Sequence, residues 1–268
     1  LMGQFSAYND SFTANTSRYP SPAIWSKLEA LDERPGRVIG FFDDFAHRTF
    51  TLPTTEGNYS PYKGFSSSGA TITDGDEVGG SIVLTEATNN ESIAIAQANT
   101  PFQIINTGGM LGFEARIKTS SVADTAHNTI IGLADARTLI VGDPIDTAGV
   151  LISTLNFVGF QRVEADGNAM ATTFQENGET QVVVQADAVT LVADTYVKVG
   201  FLFEPAAKLL TFFVNGVPAT TTKAISDTAG SAFPNDVRLG VIFAHMAAAT
   251  SPGTQTMDWW GCKQHIPA

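Results

Sequence analysis

The stretch Tyr196–Pro218 (YVKVGFLFEPAAKLLTFFVNGVP) constrains the fold more than any other part of the chain. In Val197–Phe203 every second residue is Val or Phe, which is the period of a β-strand with one face in a core. Pro205 has no backbone N–H to donate to a neighbouring strand, so the segment that contains it, Glu204–Lys208, is predicted to be a turn. Leu209–Val214 is then the second strand, and it ends at Asn215-Gly216, a pair that tolerates positive φ. The stretch predicts a hairpin within a large antiparallel β-structure.

The composition agrees with a single all-β domain. The 268 residues are 43% hydrophobic and only 16% charged, which favours strands and turns over amphipathic helices. The net charge of −12 and the absence of a Lys/Arg cluster disfavour nucleic-acid binding. No apolar run approaches the length of a membrane span, and we expect no signal peptide. The single cysteine, Cys262, excludes an internal disulfide.

Short strands separated by turn residues recur along the chain. Examples are Ser92–Gln97, Gly112–Thr119 and Gly149–Leu155, and there are about a dozen such segments. In Gly112–Thr119 the charged residues Glu114, Arg116 and Lys118 alternate with apolar ones and are expected to face outward. Because no βαβ alternation is present, we predict a two-sheet antiparallel jelly-roll sandwich over residues 37–268.

Residues 1–36 differ from the rest and are predicted to form an N-terminal arm with one short helix. The helix is expected over Ala23–Asp32, with Ser21 as its N-cap and Pro22 at its first position. An isolated helix cannot bury its own apolar stripe, so it packs either on its own sandwich or on a partner. The residues proposed for contact with a partner are Phe5, Tyr8, Phe12, Trp25 and Leu28.

Candidate catalytic and metal-binding residues are few. Cys262 has only His265 nearby in sequence, and the four histidines lack the spacing of zinc ligands. The runs Asp74–Glu77 and Asp143–Asp146 could offer oxygen ligands to calcium, although both are more typical of turns. We therefore predict no catalytic residue, no metal and no cofactor.

Trp259 and Trp260 are the candidate residues for binding a sugar. Adjacent residues in a strand point to opposite faces, so one indole is expected in the core and the other at the surface. The exposed indole could stack on a glycan, cover a sheet edge or contact a subunit.

The order of several motifs resembles a known family. They are FDDF at Phe42–Phe45, GFEARIKTSS at Gly112–Ser121, IIGLAD at Ile130–Asp135, VGFQRVEADGN at Val158–Asn168 and LLTFFVNGVP at Leu209–Pro218. Over residues 37–264 the chain resembles the concanavalin A-like lectin/glucanase (LamG-like) sandwich, of the kind found in tailed-phage virion proteins. The Glu-x-Asp-x-x-Glu string of the family's β-glucanases is absent, since Arg116 stands where the middle Asp would follow Glu114.

The resemblance implies a non-enzymatic virion structural protein. The expected role is a capsid decoration or cement subunit at the capsid surface, which binds the major capsid protein and forms a homo-oligomer, with a trimer possible. The alternative is a lectin-like carbohydrate-binding module, carried on a tail fibre or secreted. Under the first hypothesis, deleting residues 1–36 leaves a folded sandwich that no longer joins its assembly.

Overall fold

The computed structural model describes residues 18–29, 38–46, 57–59, 62–67, 69–77, 79–86, 91–123, 127–135, 143–225, 232–247 and 253–266. Within these ranges it contains one α-helix and sixteen strands: α1 Pro22–Glu29, β1 Val38–Asp43, β2 Gly57–Tyr59, β3 Tyr62–Ser66, β4 Thr71–Asp74, β5 Ile82–Thr85, β6 Ser92–Gln97, β7 Leu111–Thr119, β8 His127–Ala134, β9 Phe157–Arg162, β10 Ala169–Gln175, β11 Val182–Thr190, β12 Val197–Glu204, β13 Leu209–Val214, β14 Val217–Ala224, β15 Gly240–Ala247 and β16 Thr254–His265. Among them no helix has the length and apolarity needed to cross a lipid bilayer.

The strands form two antiparallel sheets, as the sequence predicts. Sheet A has the order β14-β13-β12-β7-β16-β5-β4, and β1 also pairs with β16. Sheet B has the order β11-β10-β9-β8-β15-β6-β3-β2. The prediction of an all-β, two-sheet sandwich is therefore confirmed.

The hairpin predicted from Tyr196–Pro218 is present. Glu204 of β12 lies opposite Leu209 of β13, so the turn contains the proline as expected. The next connection is a two-residue turn in which Asn215 has a φ of 50° and Gly216 a φ of 77°. Two successive positive φ values match the twist of a tight hairpin, which explains the Asn-Gly pair.

The main core lies between the two sheets and is rich in aromatic side chains. Phe201 of β12 packs at 5.3 Å from Phe113 and at 5.9 Å from Phe212, measured between ring centroids. Phe160 of β9 contacts Phe212 edge-on and thereby joins the two sheets. Contacts of this kind add to the free energy gained from the buried apolar area.

The helix α1 covers the outer face of sheet A. Ile24 and Leu28 are buried there against Leu202 and Phe213. Gly112 makes this close packing possible, because a Cβ atom at that position would come within 2.5 Å of the Leu28 side chain. Of the two packing modes left open above, the helix adopts the one on its own sandwich.

This packing corrects the expectation for one of the partner-contact residues. Leu28 is 1% exposed and packs within its own chain. Trp25 is half-buried and its indole N–H donates to the Glu114 carboxylate, so contact of its ring with a partner stays a prediction. Phe5, Tyr8 and Phe12 lie outside the described residues. The division of the chain at residue 36 stays a prediction, although Arg18–Glu29 packs on the sandwich.

The outer face of sheet B is covered by a loop, residues 143–156. The loop residues Ile145, Leu151 and Leu155 are buried on apolar side chains of β6, β8, β9 and β15. The strand predicted at Gly149–Leu155 is wrong, since the segment forms only an isolated bridge between Ile145 and Leu151. Leu151 and Leu155 are apolar because the loop buries them on sheet B.

Candidate ligand-binding site

Neither tryptophan of the predicted glycan-stacking pair is exposed. Trp260 is 0% exposed in the core, where its indole N–H donates to the Tyr62 hydroxyl at 3.1 Å. Trp259 points to the opposite face as expected but is only 2% exposed. Phe42 of β1 stacks on it at 5.8 Å, and its N–H donates to the Arg18 carbonyl oxygen. The prediction of a surface indole is therefore wrong, because β1 and the segment before α1 cover that face.

Glu114 lies on the outer face of sheet A, as predicted, but it is buried there. Its side chain is 1% exposed, and one carboxylate oxygen accepts hydrogen bonds from the Ser21 backbone N–H and the Trp25 indole, both at 2.8 Å. Burial raises the pKa of Glu114, against the lowering effect of these hydrogen bonds and of Lys198. The residue that comes nearest to the glucanase motif thus anchors the N-terminal segment and is closed to a substrate.

A second buried carboxylate anchors the same segment. Asp258 is 0% exposed and accepts hydrogen bonds from Arg18 and Arg116, each at 2.6 Å. Lys198, also buried, donates to the Tyr19 carbonyl oxygen at 3.0 Å. Three buried charges of sheet A, those of Glu114, Asp258 and Lys198, therefore bind the segment 18–25.

Glu114 predicts a specific pH dependence of stability. A carboxyl whose pKa is raised in the folded state contributes stability below its ordinary value near 4.5, and that contribution is lost as the pH rises through the folded pKa. We expect Glu114→Gln, which keeps an oxygen acceptor, to reduce the fall in unfolding free energy between pH 5 and pH 7. Urea titrations of the wild type and the variant at pH 5 and pH 7 measure this change in unfolding free energy. An equal change in both proteins would contradict a raised pKa of Glu114.

Two of the scattered histidines meet between the sheets. The rings of His127 and His245 lie 4.5 Å apart, and His245 pairs with Glu86 at 3.0 Å. Burial lowers the pKa of His127, and the neighbouring His245 and Arg162 lower it further. The Arg162 guanidinium, also buried, donates to the His127 ring. Sequence spacing gave no sign of this cluster, because the neighbouring strands β8, β9 and β15 of sheet B bring its two histidines and Arg162 together from distant parts of the chain.

The cluster is part of the interior and is not a metal centre. Within the described ranges, no three His, Cys, Asp or Glu side chains are arranged to hold a metal ion. Of the residues considered for calcium, Asp146 instead accepts hydrogen bonds from the N–H groups of Ala148 and Val150 in its own loop. Glu77 accepts from Tyr196 and Lys118.

The loop over sheet B also closes the outer face of that sheet to ligands. Gln175 of β10 donates to the carbonyl oxygens of Ile152 at 2.7 Å and Leu155 at 3.3 Å. Gln161 of β9 donates to the Gly149 carbonyl oxygen. Apolar burial and these side-chain hydrogen bonds hold the loop down along its length. A ligand of sheet B must therefore bind beyond the edge of the loop.

A pocket of about 340 Å³ opens at one end of sheet B. Its position is where β6 and β8 end and where β3 and β15 begin. The volume lies within the range of small-molecule sites, near its lower limit. The pocket is lined by four charged side chains, one hydroxyl and two small apolar residues: Lys63, Asp135, Asp236, Arg238, Thr100, Ala98 and Val237.

Regular structure fixes the backbone around the pocket. Beside Arg238, Leu239 and Phe102 exchange two backbone hydrogen bonds, of 2.7 and 3.1 Å. Asp135 directly follows β8, and its N–H donates to the Asn156 carbonyl oxygen at 3.1 Å. Polar groups held by strand ends are well placed to select a ligand by hydrogen bonding. None of the sequence motifs predicted this pocket, since its residues come from four separate parts of the chain.

No protein-family model and no curated protein sequence matches the chain. Solved structures do. The endo-1,3-β-glucanase of Streptomyces sioyaensis shares 17% identity over 87% of this chain and 99% of that one, with a TM-score of 0.59. Peanut lectin shares 16% identity over 87% and 100%, also with a TM-score of 0.59. A protein of unknown function from Shewanella oneidensis MR-1 shares 14% identity over 94% and 97%, with a TM-score of 0.55.

These similar structures include a lectin and an enzyme, so they show a shared architecture and leave the choice between binding and catalysis to the site itself. The chain has the fold of the concanavalin A-like lectin and glucanase sandwiches.

Proposed function

We propose that this protein is a carbohydrate-binding sandwich that holds a sugar in the pocket at the end of sheet B. The observation that carries the proposal is the convergence of charged and hydroxyl side chains around an open pocket on strand ends. Sugar hydroxyls both donate and accept hydrogen bonds. Asp236 supplies acceptors, Arg238 and Lys63 supply donors, and Thr100 supplies both.

The two sheet faces support this choice of location. Helix α1 and the Phe42 side chain of β1 cover the outer face of sheet A, where Trp259 lies, and the loop 143–156 covers the centre of sheet B. The pocket lies beyond both covers and is bordered by the exposed residues Asp236 and Arg238. The resemblance in fold to peanut lectin supports carbohydrate as the ligand class.

We propose binding without turnover. Glu114, the residue nearest to the glucanase motif, is buried under α1 and cannot reach a substrate. The side chains that cover the centre of sheet B are apolar ones and glutamines. Of the two carboxylates that line the pocket, Asp236 is exposed but Asp135 is only 6% exposed, whereas a glycosidase needs a pair of carboxyl groups that both face the sugar. Incubation with the bound polysaccharide is therefore expected to release no new reducing ends.

A binding screen with paired variants tests the proposal. Full-length protein is expected to be retarded by at least one immobilised polysaccharide from a panel of neutral and charged polymers. The double variant Asp236→Ala/Arg238→Gln is expected to bind at least about tenfold more weakly, which corresponds to the loss of one good polar contact. The control Asp166→Ala/Lys208→Gln removes the same charges outside the pocket and is expected to bind normally.

Two outcomes would overturn the proposal: no binding to any polymer of the panel, or equal binding by the wild type and the pocket variant. The virion location, the capsid partner and the homo-oligomer stay predictions, which none of the observations above tests.

A further inference from the structure

We infer that the sugar bound in this pocket is anionic, and that its carboxylate or sulfate group is held between Lys63 and Arg238. The inference rests on the proposed carbohydrate-binding function and adds the chemical class of the ligand. The shared chemistry is a negatively charged oxygen group on a sugar ring. Uronic acids and sulfated sugars are its two sources.

The charge inventory of the chain points to this pocket. Acidic residues outnumber Lys and Arg by 27 to 15, so most cations have a carboxylate to pair with. Arg18 and Arg116 share Asp258, and Lys118 pairs with Glu77. Among the described lysines and arginines, the side chains of only Lys63, Lys208 and Arg238 have no ion pair, hydrogen bond or ring contact. Two of these three cations line the same pocket.

Sheet B places the two cations on either side of one strand end. Lys63 lies on β3 and Arg238 directly precedes the β15 region, while β6 runs between β3 and β15. Ala98 and Thr100 follow β6 and also line the pocket. An oxygen group seated there can accept hydrogen bonds from an ammonium on one side and a planar guanidinium on the other.

Asp236 sets the orientation of the ligand. It is exposed at the pocket, whereas Asp135, the other carboxylate of the lining, is only 6% exposed. The Asp236 carboxylate repels an anionic group from its side and accepts hydrogen bonds from hydroxyls. Asp236→Asn keeps an acceptor and removes one repulsive charge. We therefore expect this variant to bind an acidic sugar several-fold more tightly and a neutral one unchanged.

Titration calorimetry with four polymers tests the inference on the full chain. The probes are polygalacturonate, its carboxyl-reduced neutral counterpart, dextran sulfate and dextran. Lys63→Gln/Arg238→Gln is expected to lower the affinity for the anionic polymer by at least about tenfold, and added salt is expected to weaken wild-type binding. The matched control Lys27→Gln/Lys208→Gln also removes two positive charges, but from residues outside the pocket, and is expected to bind as the wild type does.

The outcomes separate this inference from the proposed function. Binding of polygalacturonate alone or dextran sulfate alone supports the inference and identifies the oxygen group. Binding of only the neutral polymers, unchanged in Lys63→Gln/Arg238→Gln, overturns the inference and leaves the carbohydrate-binding function standing. Equal losses in the pocket variant and its control overturn the inference, because they show non-specific attraction. Absence of binding to every saccharide overturns both.

Discussion

A chain that lacks residues 1–36 is expected to lose most of its stability, with an unfolding free energy lower by more than about 5 kcal/mol. The sequence alone leads to the opposite expectation, that this arm is dispensable for folding. The contacts of the arm in the structure explain why the two expectations differ. The deletion removes Arg18–Glu29, which supplies the partners of the buried acids Glu114 and Asp258 and of the buried Lys198.

The size of the effect follows from two contributions. The deletion removes hydrogen bonds to three charged groups, Glu114, Asp258 and Lys198, and a hydrogen bond to a charged group contributes about 1.5–3 kcal/mol. Removing Ile24 and Leu28 also exposes the apolar surface of Leu202 and Phe213. Both contributions have the same sign.

Two truncations compared by urea denaturation separate the segments. A chain that lacks residues 1–17 keeps every contact described for Arg18–Glu29 and is expected to unfold at a higher urea concentration than the longer deletion. The longer deletion is expected to unfold at a much lower concentration or to accumulate in no folded form. Equal unfolding midpoints for the full chain and the longer deletion would show that the helix contributes nothing to the sandwich.

Replacing Arg162 by Ala is expected to destabilise the fold by about 3–5 kcal/mol. Arg162 is 0% exposed, and its guanidinium donates to the carbonyl oxygens of Gly167, Ser121 and Ala123 at 2.8–3.0 Å. The alanine variant leaves a cavity and removes the donor from three carbonyl oxygens, of which that of Gly167 is buried, and from the buried His127 ring. Lysine cannot repair the loss, since one ammonium cannot reproduce the planar fork that reaches separate carbonyl groups.

Arg238 provides the matched control for Arg162. It is exposed and makes no side-chain hydrogen bond or ion pair within the described ranges, so Arg238→Ala is expected to change the unfolding free energy by less than about 0.5 kcal/mol. Chemical denaturation of the two variants and the wild type gives the comparison. If both alanine variants were equally stable, the buried hydrogen bonds of Arg162 would have no structural role.

Local patterns were sufficient to predict the sandwich. The hairpin from β12 to β14 depends on neighbouring residues alone, since period-2 alternation, a proline in one turn and Asn-Gly in the next all act over short distances. The opposite orientations of Trp259 and Trp260 were predictable for the same reason. What lies on each face was not, because Phe42 and Arg18, which cover Trp259, come from the other end of the chain.

The same limit explains why the binding pocket was not predicted. Lys63 and Arg238 are ordinary residues in their local sequence, and only the order of strands in sheet B brings them to one pocket. Glu114 shows the reverse error. The alternation of β7 correctly predicted that Glu114 points to the outer face of sheet A. The prediction that it is exposed there was wrong, because the segment that contains the helix 22–29 covers it. The location of the binding site therefore depends on the pairing of strands that are distant in sequence and on the segments that cover the sheets.

Mapping of the bound sugar by NMR tests the central claim most directly. The acidic oligosaccharide that matches the polymer bound in calorimetry, either tri-galacturonate or a short dextran sulfate, is added to the isotope-labelled full chain, and the backbone amide signals are followed. The account predicts that shifts concentrate at Lys63, Ala98, Thr100, Asp135 and Arg238, around the end of sheet B. Shifts centred on Phe42 and Trp25 of the sheet A face, or no shifts at any concentration, would contradict it.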